Sequence, residues 1–301
     1  MQDYLNTQHE MVNFYGYSPN FAANLAFAVI WGTILGVQLI LTIKTKERAY
    51  GISMIIRCVL EFVGFIGRAK LHSKPDDFGN YYMADLGTLI CPIFFMAAFF
   101  DCFVGVVIIY GENYSSKFMR PAIRYRKVFF WMDAIAYVLQ TTGGGLVSYN
   151  VYPSGLKVML AGLSLQAFNI LVFIFVVATF FAKVNSRREN LSEKYQDIRK
   201  STMFKCVLYS MFISIVLLYV RCFYRLAVLA GPWGNSAMRS EVMFLVLDSG
   251  CCTVVGILLT VFYPGIIFMK MRKQHMSCDE DQLEDLEMKN TNNSSSISEA
   301  L

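Results

Sequence analysis

The sequence predicts an all-α polytopic membrane protein with seven transmembrane helices, its N-terminus outside the cell and its C-terminus in the cytoplasm. Hydrophobic residues make up 55% of the 301 residues and charged residues only 16%, whereas soluble domains usually carry about 25% charged residues. The apolar residues are concentrated in seven runs, and the basic residues in alternate connections between these runs. These observations argue against a soluble enzyme and favour a helical membrane bundle.

Each apolar run is long enough for the ~20 residues that a helix needs to cross a bilayer. In chain order the runs are Phe21–Ile43, Tyr50–Ala69, Leu86–Tyr110, Val128–Tyr149, Val158–Ala182, Cys206–Leu229 and Val242–Met269. None alternates strictly between apolar and polar residues, which favours helices over the strands of a membrane barrel. The second run is the least regular, because Arg57, Glu61 and Arg68 interrupt it.

Lysine and arginine residues set the predicted orientation, since they accumulate on the cytoplasmic side of membrane proteins. The connections 44–49, 111–127 and 183–205 and the C-terminal tail together hold 19 of them. The N-terminal segment and the other three connections hold 4.

This distribution predicts three regions along the chain. We expect an extracellular segment at 1–20, a membrane domain at 21–269 and a cytoplasmic tail at 270–301. The tail is acidic and then rich in Ser and Asn, and this composition predicts disorder.

Four arginines and four carboxylates lie within the predicted spans, where a charge costs ~3 kcal/mol or more unless it is paired or hydrated. In five spans, polar and small residues recur at helical spacing: Arg57, Glu61, Gly64 and Arg68; Asp133, Tyr137, Gln140 and Gly144; Gly155, Gly162, Gln166 and Asn169; Arg221 and Arg225; and Glu241, Asp248 and Cys252. Such stripes predict five helices whose polar faces turn towards the interior of the bundle.

The direction of each span predicts the depth of its polar residues. The residues expected in the outer half of the membrane are Arg68, Arg221, Arg225, Glu241 and Asp248, and those expected in the inner half are Arg57, Asp101 and Asp133, with Glu61 between. Two arginines one turn apart repel each other. They need an anionic ligand or an acidic partner, and Asp248 with Glu241 can supply the partner.

The outer residues are therefore a predicted head-group site, because the planar guanidinium suits phosphate or carboxylate groups. A path for the substrate is predicted along Arg57, Glu61, Asp133, Gln140 and Gln166. The alternative is that these ion pairs only fix the register of the helices.

Several kinds of chemistry are disfavoured. The three histidines lie outside the predicted spans, which argues against an intramembrane zinc hydrolase and removes the commonest axial ligand of haem. No lysine lies in a span, no Ser-His-Asp constellation is evident, and there is no phosphate-binding loop of the G-x-x-x-x-G-K-[ST] type. We expect no catalytic residues, no metal, no cofactor and no nucleic-acid partner.

The distributed pattern resembles the fungal lipid-translocating exporter family, also called the aminocholesterol-resistance family. The resemblance rests on the order and spacing of several elements: Tyr15-Gly16-Tyr17-Ser18-Pro19, Glu61-x-x-Gly64-Phe65-x-x-Arg68, Pro92, Asp133 through Gln140 to Gly143-Gly144-Gly145, Gly162-Leu163-x-x-Gln166, Arg221-x-x-Tyr224-Arg225, and Glu241 with Asp248. The chain departs from the family pattern at Val228 and Leu245, and Gly105 stands where an arginine is frequent.

The resemblance implies a seven-helix fungal protein, often of the plasma membrane. Its members are associated with resistance to lipophilic toxicants, release of sphingoid bases and movement of porphyrin or haem. The leading hypothesis is an ATP-independent exporter of amphipathic molecules, with membrane lipids and a small amphipathic substrate as partners. The alternative is a seven-helix receptor or regulator of a lipid or stress response. The oligomeric state stays open.

Overall fold

The computed structural model describes residues 17–75, 77–110, 112–148, 152–186, 195–231 and 240–274. This part of the chain is helical and contains no strand. The helices are α1 (Phe21–Thr45), α2 (Arg48–Lys70), α3 (Phe78–Tyr110), α4 (Glu112–Ser148), α5 (Tyr152–Ser186), α6 (Gln196–Lys200), α7 (Thr202–Ala230), α8 (Glu241–Met243), a π-helical segment (Phe244–Gly250), α9 (Cys251–Val261) and α10 (265–274). Residues 275–301 of the tail that was predicted to be disordered lie outside the described ranges.

Six helical stretches in the described ranges are long and apolar enough to cross a membrane, which makes the chain a multi-pass membrane protein. They contain six of the seven predicted spans. The predicted fourth span lies in α4, which is not among the six. Its apolar residues are interspersed with Asp133, Gln140 and Gly143-Gly144-Gly145. The count of seven crossings and the orientation of the termini stay predictions.

The helices are longer than the apolar runs that revealed them. Helix α3 begins at Phe78, eight residues before the predicted span, and α4 already begins at Glu112. The predicted loop 111–127 is therefore helical from 112 onward. Polar residues at the ends of a membrane helix lower its local hydropathy without breaking its backbone hydrogen bonds, so hydropathy marks only the apolar middle of each helix.

Exposure in the bundle is inverted relative to a soluble protein. Phe175 and Phe212 are 68% and 66% exposed, whereas Arg57 is fully buried and Asp133 is 1% exposed. Apolar side chains that point outwards are expected where the surroundings are lipid. The polar stripes turn inward, as their spacing predicts.

Glycines allow the closest contacts between neighbouring helices. A Cβ atom at Gly87 of α3 would lie 2.7 Å from the Cα of Gly64 on α2. A Cβ atom at Gly162 of α5 would lie 2.6 Å from the carbonyl oxygen of Ala136 on α4. Small residues at such crossings bring polar side chains of adjacent helices within hydrogen-bonding distance.

The last predicted span, Val242–Met269, is not one regular helix. The π-helical segment interrupts it near its start, and a break at Phe262–Pro264 separates α9 from α10. A π-helical turn contains an additional residue, so side chains before and after it no longer follow the α-helical spacing. This irregularity decides where Glu241 and Asp248 point.

Candidate functional site

The main polar cluster lies at the N-terminal end of the bundle, defined as the end at which α1 begins. Asp248, in the π-helical segment, is 1% exposed and bridges two arginines of α7. Its Oδ1 lies 2.7 Å from Nε of Arg221, and its Oδ2 accepts a hydrogen bond of 2.6 Å from Arg225. Both carboxylate oxygens are thereby engaged, and Asp248 supplies the acidic partner that the arginine pair requires.

Helix α3 provides the second set of partners for these arginines. Arg221 donates a hydrogen bond of 2.7 Å to the backbone carbonyl of Thr88, and Arg225 donates one of 3.4 Å to the hydroxyl of Thr88. Pro92 lies inside α3 four residues later. Because proline has no N–H, it leaves the carbonyl of residue 88 without a helical donor, and Arg221 takes that place.

Arg68 joins the cluster from the C-terminal end of α2. Its guanidinium lies 3.8 Å from the ring centroid of Phe244, a ring that Arg225 also approaches at 5.4 Å. Arg68 also donates a hydrogen bond to the hydroxyl of Tyr17. Burial raises the pKa of Tyr17 above its ordinary value, so the phenol stays neutral. Arg68 and Arg225 therefore share the ring of Phe244, and Arg225 and Arg221 share the carboxylate of Asp248.

Glu241 is placed differently from the other predicted head-group residues. Its carboxylate accepts hydrogen bonds of 2.8 and 3.0 Å from the backbone N–H of Asn20 and one of 3.1 Å from the side chain of Asn24. These are the contacts of a helix cap, made with the positive end of α1. Glu241 lies in α8 and Asp248 within the π-helical segment, whose wider turn ends the alignment that their seven-residue spacing predicts.

Asp85, which the sequence pattern did not predict as a site residue, belongs to the same region. It lies on α3 ahead of the predicted span and is partly exposed, and the charges of Arg225 and Arg68 act on it. A Cβ atom at Gly144 of α4 would have Asp85 Oδ2 as its nearest neighbour at 4.0 Å, and Gly145 faces open space. The spacing of Asp85, Thr88 and Pro92 on one helical face was the available signal.

A second polar group lies in the middle of α2. Arg57 and Glu61 form an ion pair of 3.0 Å within the helix, and their side chains are 0% and 2% exposed. The guanidinium of Arg57 lies 3.3 Å from the ring centroid of Phe95 and 4.4 Å from that of Trp31. Cation–π contacts and the adjacent carboxylate together offset the burial of this arginine.

The third group connects α4 and α5. Asp133 accepts a hydrogen bond of 2.6 Å from Asn169, and Gln140 donates one of 3.0 Å to Gln166. All four side chains are buried. The predicted path residues are thus brought together in two local groups.

Cys222, one residue after Arg221, and Cys252, four residues after Asp248, are both buried in the bundle. Within the described ranges, no three His, Cys, Asp or Glu side chains are arranged to hold a metal ion.

Comparisons with known proteins identify the family of this chain. The family profile described as RTA1 like protein matches residues 54–271. The sphingoid long-chain base transporter RSB1 of Saccharomyces cerevisiae is 26% identical over 284 aligned positions, which cover 84% of this chain and 74% of the relative. No solved structure matches the chain.

Two further relatives are also fungal. The probable lipid transporter atnI of Emericella nidulans is 22% identical, with 85% of this chain and 69% of the relative covered. The lipid-translocating exporter-like protein RTA1 of Ajellomyces capsulatus is 25% identical, with 74% and 70% covered. These relatives are named as transporters. The match to the family profile includes all residues of the polar groups described above except Tyr17, Asn20, Asn24 and Trp31. The chain belongs to the RTA1-like protein family.

Proposed function

We propose that this chain is an ATP-independent transporter that moves amphipathic lipids across the fungal plasma membrane. Its relatives are named as lipid or sphingoid long-chain base transporters, and its sequence contains no phosphate-binding loop. The proposal includes seven crossings with the N-terminus outside. It counts α4 as a crossing, because this helix of 37 residues leads from the end of α3 back to Gly144 beside Asp85.

The observation that carries the proposal is the charged cluster at the N-terminal end of the bundle. Arg68, Arg221 and Arg225 lie together with Asp248 and Asp85 in helices that are otherwise strongly apolar. Charges in such segments are expensive and usually mark a substrate pathway. In the proposed orientation this cluster lies in the outer half of the membrane and forms a head-group site.

The two acids of the cluster have different surroundings. Both oxygens of Asp248 bind arginines, whereas Asp85 is partly exposed beside the space at Gly144 and Gly145. We therefore assign Asp85 to an ammonium group of the substrate, and Arg225 to hydroxyl or anionic oxygens of the same head group. A sphingoid base, which has one amine and neighbouring hydroxyls on a single chain, fits this pair of charges.

The proposed path leads inward from the head-group site. We assign to it the buried carboxylates Glu61 and Asp133, and Gln140 with Gln166 as uncharged polar groups. These groups would replace hydration of the head group as it crosses the apolar middle of the bundle. Porphyrins and lipophilic toxicants stay alternative substrates that the same assay compares.

The test is transport by the purified protein in lipid vesicles. We expect it to move a fluorescent long-chain base between leaflets without nucleotide. Asp85→Asn should lower the rate about ten- to hundredfold, because a hydrogen bond to a charged group contributes about 1.5–3 kcal/mol. Glu47→Gln is the matched control, since Glu47 pairs with Arg272 outside the cluster.

Two results would argue against the proposal. If the correctly folded wild-type protein moves no lipid or porphyrin, the transporter hypothesis is abandoned and the receptor hypothesis is favoured. If the wild type transports and Asp85→Asn transports equally well, the head-group site lies elsewhere.

A further inference from the structure

An apolar cavity of about 290 Å³ lies between α3, α5 and α7. Phe103 and Val106 of α3, Ile174 and Phe181 of α5, and Met211 and Ile215 of α7 form much of its wall. All lining residues are apolar, so an ordered water molecule would find no hydrogen-bonding partner there.

The cavity opens on the outer surface of the bundle. Phe212 and Val216 line it and are 66% and 43% exposed. Both residues lie in α7, which is one of the six candidate membrane spans. The medium at this opening is therefore the hydrocarbon of the bilayer, and the group that can enter is a hydrocarbon chain.

The size of the cavity limits how much hydrocarbon it accepts. A cavity of ~150 Å³ accommodates one benzene molecule, so a cavity of 290 Å³ accommodates roughly twelve carbon atoms. This volume suits a segment of one extended chain and leaves no room for a second chain beside it. A single-chain amphiphile can place most of its chain there, whereas a phospholipid would have to leave its second chain in the bilayer.

The cavity also lies at a useful depth below the charged cluster. Ile215 precedes Arg221 by six residues on α7 and Leu208 precedes it by thirteen, which corresponds to roughly 9–20 Å along the helix axis. Above the cavity, the thiol of Cys222 contacts the carbonyl of Leu163 where α7 meets α5. The cavity and the head-group site thus lie at different heights along the same helix, α7.

We propose that this cavity binds the hydrocarbon chain of a single-chain amphiphile, which enters laterally between α5 and α7. The proposal rests on the proposed transport function and adds a chain site to its head-group site. Entry from the membrane avoids exposing the chain to water, while the polar interior of the bundle receives the head group.

The experiment uses the full-length protein in phosphatidylcholine vesicles and a C18 sphingoid base with a photoreactive group in the middle of its chain. Cross-linked residues are identified by mass spectrometry. We expect labelling of the cavity wall, and competition by unlabelled C18 base but not by a C8 base. A photoreactive two-chain phosphatidylcholine is the comparison lipid.

Val216→Trp should fill the opening, and Val220→Trp is its matched control. Val220 lies one turn away on α7, is 41% exposed and does not line the cavity. We expect Val216→Trp to reduce cavity labelling and C18 flux about tenfold or more, since each buried methylene contributes roughly fourfold to affinity. Flux of the C8 base should be unchanged in both variants.

Binding and flux separate the two hypotheses. Cavity labelling without any flux would support the chain site and overturn the transport function. Flux with no cavity labelling, or with equal effects of the two tryptophan variants, would overturn the chain site alone. Equal labelling by the two-chain lipid would also overturn it, because the cavity would then hold ordinary membrane lipid.

Discussion

Arg221 on α7 donates a hydrogen bond of 2.7 Å to the backbone carbonyl of Thr88 on α3. This carbonyl is available because Pro92, four residues later, has no N–H to occupy it. A proline inside a helix thereby creates an acceptor for a buried arginine. The bend-prone position in α3 and the charge cluster are parts of one structural unit.

Replacing Pro92 with alanine should separate helix stability from transport. Alanine restores the missing N–H, which competes with Arg221 for the Thr88 carbonyl, while removing an interior proline favours the helix by about 3 kcal/mol. We expect unchanged or higher thermal stability and a transport rate lowered about tenfold, because Arg221 loses a hydrogen bond of a charged group. Thr88→Ala keeps this carbonyl and removes the hydroxyl that Arg225 contacts at 3.4 Å, so it should lower transport less than Pro92→Ala does.

Replacing Asp248 with asparagine should destabilise the protein strongly. The substitution leaves two buried guanidinium groups without their negative partner, and breaking a buried pair in this way costs about 3–5 kcal/mol. Thermal unfolding in detergent micelles measures the effect. Glu47→Gln, which breaks the more exposed pair with Arg272, should cost about 1 kcal/mol or less. Equal unfolding temperatures of the two variants would contradict the central role of Asp248.

Replacing Gly162 with alanine should force α4 and α5 apart. The new methyl group would lie 2.6 Å from the carbonyl oxygen of Ala136 and 2.9 Å from Cγ of Gln140, and overpacking of this kind costs about 1–3 kcal/mol. Gly36→Ala is the control, because no atom lies within 4 Å of its added methyl group. We expect a lower unfolding temperature only for Gly162→Ala, accompanied by loss of the contact between Gln140 and Gln166.

Replacing Glu241 with glutamine should weaken a helix cap and leave transport intact. The glutamine keeps an acceptor for Asn20 but loses the negative charge at the start of α1, which contributes about 1 kcal/mol. Unfolding temperature and flux are measured on the same preparation. A loss of flux at unchanged stability would instead return Glu241 to the head-group site.

Much of the fold follows from the sequence because the membrane imposes simple rules. A helix that crosses hydrocarbon needs a long apolar run, and polar residues at helical spacing must face protein. The inward orientation of Arg57, Asp133 and Asp248 follows from these rules. Helix ends did not follow, since the polar starts of α3 and α4 have the composition of a loop while the backbone stays helical.

The candidate site was predictable only where the backbone is regular. Arg221 and Arg225 lie one turn apart in an undisturbed helix, and their pairing with Asp248 is as expected. The placement of Glu241 was not, because the π-helical segment changes the rotation between it and Asp248. Asp85 was not predicted because it lies one residue before the predicted third span, which begins at Leu86.

The π-helical segment between α8 and α9 has a consequence for comparing relatives. A widened turn arises when a helix accommodates one residue more than its regular winding allows. In a family member that lacks this residue, the helix would turn regularly between the positions of Glu241 and Asp248. An acid at one of these positions could then reach the α7 arginines or the first helix, but acids at the two positions could not make both contacts. A one-residue gap in an alignment at this place would therefore indicate members with different contacts between helices. This would hold even where both acidic residues are present.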